Sequence, residues 1–121
     1  MLIADLHHVS INVNDLAAAE AFYIDVLGLR RLPRPELGIA GAWLAVGERQ
    51  VHLIETPKVP DDVGQHFAFR VTDLDAMIAD LSAHGVRVSS VFETAVSRQV
   101  SFRDPCGNRL ELNEPKVGSL K

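Results

Sequence analysis

Apolar and polar residues alternate along residues 7–13, and the same period of two returns at 66–71. A period of two is typical of a half-buried strand. Each stretch is followed by an aspartate, Asp15 or Asp73, and then by apolar residues at helical spacing. An aspartate at this place can accept hydrogen bonds from the first turn of a helix. The chain therefore predicts the same strand and helix twice.

Further strands are predicted after each helix, at 29–32, 42–46, 50–55, 86–91, 97–103 and 109–113. Each half of the chain then has the element order βαβββ. The stretch 57–64 is rich in proline, aspartate and glycine and predicts a linker. We expect an α+β fold in a single domain over residues 1–121, with module one at about 4–56 and module two at about 65–114.

Candidate metal ligands recur at equivalent places of the two halves. His8 returns as His66 after 58 positions, and His52 is matched by Glu111 after 59. In all four strands the alternation puts the ligand on the face opposite the apolar residues, which the helices should cover. The four side chains are therefore predicted to point into the concave side of curved sheets.

Three imidazoles and one carboxylate suit one divalent ion of the borderline class, such as Zn, Ni, Co, Mn or Fe(II). The set has no thiolate, which argues against a closed structural zinc site. Four protein ligands would leave two positions of a six-coordinate ion open to water or to a chelating substrate. The lone histidine His84 ends the second helix, where a cation suits the dipole, and is not assigned to the site.

Other polar or aromatic positions share the inward face and are candidate substrate contacts: Asn12, Trp43, Arg70, Gln99 and Arg103. The guanidinium fork of arginine matches a carboxylate or a phosphate group. The structural alternatives are a core position for the tryptophan and a solvated surface position for the arginines.

The composition limits the partners and the cellular compartment that are expected for the protein. A net charge of −4 gives no electrostatic reason to expect nucleic acid or an anionic membrane as a partner. No run of 18 apolar residues predicts a membrane span. The one cysteine, Cys106, excludes an internal disulfide and fits a reducing compartment. We expect a cytoplasmic protein with a small-molecule substrate.

Residues 4–115 resemble the vicinal oxygen chelate superfamily, which includes glyoxalase I, fosfomycin- and bleomycin-resistance proteins and extradiol dioxygenases. The resemblance rests on the segment from His8 to Leu16, on Phe22-Tyr23 with Leu27-Gly28-Leu29, and on Asp104-Pro105-Cys106-Gly107-Asn108 running to Leu112. It is closest to uncharacterised glyoxalase-like proteins. The resemblance implies a cupped mixed sheet with helices outside, a divalent metal on His8, His52, His66 and Glu111, and a homodimer.

The function that this resemblance favours is that of a metal-dependent glyoxalase-like lyase or isomerase acting on a small chelating, oxygen-bearing substrate. Glyoxalase I has glutamate at the place of His52, so proton transfer here is assigned to Glu111 or to His52. One alternative is an Fe(II)-dependent extradiol-type dioxygenase, with His8, His66 and Glu111 as its triad. Another is a drug-binding resistance protein without catalysis, which would have no metal requirement.

Overall fold

The computed structural model describes residues 2–58 and 64–118. The fold divides the chain into two compact units, Met1–Pro60 and Asp61–Lys121. The linker predicted at 57–64 falls at this division, and its residues 59–63 lie outside the described residues.

The first unit has the predicted βαβββ order. Its elements are β1 (His8–Val13), α1 (Leu16–Ala21) continued by a π-helical turn (Phe22–Val26), β2 (Arg30–Leu32), β3 (Gly41–Val46) and β4 (Arg49–Glu55). The strands form one mixed sheet in the order β1-β4-β3-β2. β1 runs parallel to β4, whereas the β4–β3 and β3–β2 pairs are antiparallel.

One face of this sheet is apolar and packs on the helix. α1 contacts β3 and β4, and the strand residues Leu44, Val51 and Leu53 are buried. Because successive side chains of a strand point to opposite faces, Trp43 and His52 lie on the other face, where they are half-buried. The candidate ligands of this unit therefore lie on the side that the helix leaves open.

The second unit repeats the order with β5 (Phe67–Arg70), α2 (Leu74–Ala83), β6 (Phe92–Glu93), β7 (Ser97–Arg103) and β8 (Arg109–Pro115). Its sheet has the strand order β5-β8-β7-β6, again with one parallel pair, β5 and β8. The two equivalent sheets confirm the predicted fold class. α2 has 10 residues, and no helix in the part of the chain that the structure describes could cross a membrane.

The strand predicted at 86–91 is wrong, because the strand of this part of the chain is the two-residue β6 further on. The earlier segment contacts β7 through Ser89, whose N–H donates to the Ser101 carbonyl at 2.9 Å. The return bond from the Ser101 N–H goes to the Ser89 hydroxyl, also at 2.9 Å. A side-chain oxygen thus replaces the backbone carbonyl that a strand ladder requires.

Two carboxylates bind the first turn of α1. The Asp15 side chain accepts a hydrogen bond from the Ala18 N–H at 3.1 Å, as the sequence predicted. Glu55, at the end of β4, accepts a second one from the Leu16 N–H at 3.1 Å. The second unit repeats both bonds on α2 with Asp73 and Glu114. Each helix is therefore fixed at its N-terminus to the last strand of its own unit.

Replacing Glu55 with alanine is expected to lower the free energy of unfolding by about 1 kcal/mol, because the Leu16 N–H loses its acceptor and the helix dipole loses a nearby negative charge. Urea denaturation followed by circular dichroism measures the change. Glu48→Ala is the matched control, since the Glu48 side chain is 94% exposed in the β3–β4 turn. Equal effects of the two substitutions would contradict the capping role.

Candidate functional site

Three aromatic rings stack on the open face of the first sheet. Trp43 lies opposite His52 in the β3–β4 register, and their rings are 4.7 Å apart and inclined by 11°. The other face of the His52 ring meets His8 of β1, at 4.0 Å and 15°. We call Trp43, His52 and His8 the ring stack. Two predicted metal ligands are thus in direct contact in this unit.

The His52 ring is also held through one nitrogen. Its Nε2 lies 2.7 Å from the Gln50 side-chain oxygen, so the Nε2–H donates to this oxygen. Burial lowers the pKa of His52 below its ordinary value, and the neighbouring His8, His7 and Arg34 lower it further. The imidazole is therefore neutral at pH 7, which is the form that binds metal ions.

In the second unit His66 lies beside Glu111. The His66 Nδ1–H donates to the carbonyl of Gly64 at 2.8 Å, and the Nε2 lies 3.0 Å from Oε1 of Glu111. The other oxygen of Glu111 accepts a hydrogen bond from the Asn113 side-chain amide at 3.0 Å. The Glu111 side chain is only 12% exposed, so its carboxylate is fixed in a partly desolvated place, whereas His66 is exposed.

This pair fits a metal ion by its donor chemistry. A carbonyl can only accept, so the proton of a neutral His66 ring is on Nδ1, and a lone pair on Nε2 faces the carboxylate of Glu111. Two acceptors 3.0 Å apart repel each other unless a proton or a cation lies between them. A backbone carbonyl that holds the second nitrogen is also the usual outer partner of a metal-binding histidine.

The predicted ligands come together in pairs. The structure joins His8 to His52 in the first unit and His66 to Glu111 in the second. Among residues 2–58 and 64–118, no group of three or more His, Cys, Asp or Glu side chains is placed to hold one ion. The four-ligand set therefore stays a prediction.

Arg70 lies on the same face of β5 as Ala68, two residues further along the strand. Ala68 in turn lies opposite Glu111 of β8. Arg70 itself lies opposite Asn113, is exposed, and has no hydrogen bond or ion pair with any described residue. The Gln99 side chain on β7 accepts a hydrogen bond from Asn113 at 3.4 Å. Arg70, Asn113 and Gln99 form a polar strip beside the His66–Glu111 pair.

The remaining two substrate candidates are less closely tied to the ligands. Asn12 is half-buried on β1, opposite Ile54. Arg103, at the end of β7, is exposed and donates to the Gly107 carbonyl at 3.2 Å. This bond holds the guanidinium at the turn that joins β7 to β8.

The sequence analysis missed three groups that hold the predicted ligands in place. Gln50 precedes His52 by two residues and Asn113 follows Glu111 by two, so both lie on the ligand face by strand alternation. This two-residue spacing could have identified both residues from the sequence. The Gly64 carbonyl had no such signal, because a backbone group has no mark in the sequence.

Comparisons with known proteins agree with this architecture. Residues 5–112 match the family model of the glyoxalase/bleomycin resistance protein/dioxygenase superfamily. The chain is 31% identical over 125 residues to the uncharacterized protein YaeR of Escherichia coli (strain K12), an alignment that covers 93% of this chain and 97% of YaeR.

Solved structures of two related proteins have the same fold. TnmS3, an antibiotic binding protein from Streptomyces sp. CB03234, is 29% identical with a TM-score of 0.84, over 96% of this chain and 99% of that one. A lactoylglutathione lyase from Agrobacterium tumefaciens is 26% identical with a TM-score of 0.80, over 99% and 100%. As its motifs predicted, the chain belongs to the glyoxalase/bleomycin resistance protein/dioxygenase superfamily.

Proposed function

We propose that the protein is a metal-dependent glyoxalase-like lyase or isomerase that acts on a small substrate with chelating oxygen atoms. The proposed ligands, which would hold one divalent ion (Zn, Ni, Co, Mn or Fe), are His8, His52, His66 and Glu111. The observation that carries this proposal is the His66–Glu111 pair, in which Nε2 and Oε1 face each other at 3.0 Å. The similarity to a lactoylglutathione lyase supports the reaction class.

The ion would act as a Lewis acid toward the substrate oxygens. The chain supplies the groups that move a proton. Glu111 is fixed by Asn113 through one oxygen and is assigned as the base. His52 is the second candidate, because its lowered pKa leaves an imidazole that can accept a proton at neutral pH.

The polar strip is assigned to the substrate. Arg70 carries a positive charge that no described residue neutralises, and Asn113 and Gln99 offer amide groups next to it. A carboxylate or phosphate on the substrate would pair with this guanidinium. Asn12, Trp43 and Arg103 remain further substrate contacts of the proposal.

The setting proposed for this enzyme follows from composition and family. The family resemblance supports a homodimer, and the single cysteine fits the reducing cytoplasm. Neither nucleic acid nor a membrane is a proposed partner, since the net charge is −4.

A binding protein without catalysis is the second candidate. The antibiotic binding protein TnmS3 is at least as similar in sequence as the lyase is. A binding protein of this kind would have no metal requirement. An extradiol-type dioxygenase is a third outcome, and it would select iron.

The metal content of tag-free protein separates these functions. After chelation and addition of single candidate ions, elemental analysis of dialysed protein is expected to give about one ion per chain, as a single site requires. Tight binding of nickel, cobalt or zinc supports the lyase or isomerase. Selective retention of iron would favour the dioxygenase, and failure of every ion to bind would leave the binding protein as the better description.

A further inference from the structure

The geometry of the ring stack conflicts with joint metal binding by its two histidines. A bond from an imidazole nitrogen to an ion lies in the plane of the ring and is about 2.1 Å long. The His8 and His52 planes are inclined by only 15°, with centroids 4.0 Å apart. Two ring planes that are this close to parallel intersect only at a distance much longer than a metal–nitrogen bond. An ion that lies in the plane of one ring, at bonding distance, therefore lies outside the plane of the other ring.

One of the two rings must therefore turn before both can bind the same ion. His52 is the better held of the two. It lies on β4, between β1 and β3, where Trp43 covers one face of its ring and Gln50 holds its Nε2. Neither of these interactions involves His8.

His8 is held more weakly. It is the first residue of β1, an edge strand, and it is exposed. Besides the stack, its ring contacts His7, with the two Nδ1 atoms 2.9 Å apart. His7 is itself exposed, so His8 can turn toward solvent without opening the buried part of the sheet.

We propose that Trp43 is a positioning residue that keeps His52 in place, and that His8 leaves the ring stack when an ion binds. This inference rests on the proposed function. It divides the stack into a fixed part, Trp43 and His52, and one ligand that moves. Trp43 then acts on metal affinity through His52 rather than by contact with the ion.

Nuclear magnetic resonance of the wild-type protein tests which ring moves. Zinc is the probe because it is diamagnetic, and the readout is the set of Overhauser signals between ring protons. The signals between Trp43 and His52 are expected to persist at zinc saturation. Those between His52 and His8 are expected to be confined to the protons beside the two zinc-bound nitrogens, because the rings no longer stack.

Two variants of Trp43 test the positioning role by zinc affinity. Trp43→Leu is expected to weaken zinc binding about tenfold, the lower end of the loss seen when an outer partner of a ligand is removed. Trp43→Phe keeps an aromatic face on His52 and is expected to restore most of the affinity. Phe92→Leu is the matched control, because Phe92 is 63% exposed on β6 of the other sheet.

The outcomes separate this inference from the proposed function. If zinc binds while His52 stays stacked on His8, or if zinc binding separates His52 from Trp43, the inference is overturned and the proposed function stands. Equal affinities of Trp43→Leu and the wild type would overturn the positioning role. If zinc does not bind to the wild type, the inference is overturned, and the proposed function falls with it only if nickel, cobalt, manganese and iron also fail to bind. Should Trp43→Leu fail to fold, the wild-type spectra still decide which ring moves.

Discussion

Replacing His66 with alanine is expected to abolish stoichiometric metal binding, with an affinity at least about 100-fold below that of the wild type. The substitution removes a proposed direct ligand, and even the loss of an outer partner of a ligand costs about 10- to 100-fold. It also leaves the Glu111 carboxylate without the group that lies 3.0 Å from it. Calorimetric titration with zinc or nickel, after a chelator has removed bound metal from the protein, measures the change in affinity.

The fold is expected to survive this substitution, because the His66 side chain is 33% exposed and lies just before β5. Circular dichroism and the urea midpoint check this. His84→Ala is the control, since His84 is an exposed histidine at the end of α2 whose Nδ1–H donates to the Asp80 carbonyl. Full metal occupancy of the His66→Ala protein would show that the ligand set is wrong.

Gly41→Ala is expected to destabilise the first unit by about 3 kcal/mol, the upper part of the usual range for overpacking. A Cβ at this position would lie 2.3 Å from the Leu53 carbonyl oxygen and 3.0 Å from Nη2 of Arg34. The carbonyl belongs to β4, the strand that pairs with β3 at this point, so it cannot move without disturbing the ladder. Urea denaturation measures the loss.

Gly47→Ala separates this clash from the ordinary cost of losing a glycine. Gly47 has a φ of +56° and no atom within 4 Å of an added Cβ. Alanine there is expected to cost about 1 kcal/mol through its left-handed backbone alone. If the two substitutions cost the same, the close approach of β3 to β4 at Gly41 has no energetic weight.

The sequence predicted the elements whose pattern is set by burial. The alternation at 7–13 and 66–71 became β1 and β5, because one face of each strand meets a core and the other does not. The strand expected at 86–91 failed for a local reason: Val86 and Val88 alternate with polar residues, but the hydroxyl of Ser89 takes a ladder bond. Such competition leaves no mark on the hydrophobic pattern.

The sequence could predict which face of its strand each site residue occupies. It could not predict which of these side chains contact one another. Alternation assigned Trp43, His52 and His8 to one face, and the structure has them there. That the rings stack depends on the strand register and on side-chain rotation, and neither is visible in sequence spacing. The π-helical turn at Phe22–Val26 was missed for a similar reason, since its helical spacing does not distinguish it from an α-helix.

The last strand of each unit carries two groups with separate duties. In β8, Glu111 faces the site, and Glu114, three residues on, holds the N-terminus of α2. In β4, His52 and Glu55 have the same spacing. An odd spacing puts the two groups on opposite faces of a strand, so inserting or deleting one residue between them would turn one of the two to the wrong face.

Replacing His52 or Glu111 with another residue leaves the helix-capping glutamate of the same strand unchanged. The proposed ligand position accordingly differs between the two halves of the repeat, with histidine in the first and glutamate in the second. The helix anchor, by contrast, is glutamate in both. A substitution at the proposed ligand position can thus change the chemistry of either half without removing the carboxylate that anchors the helix of that half.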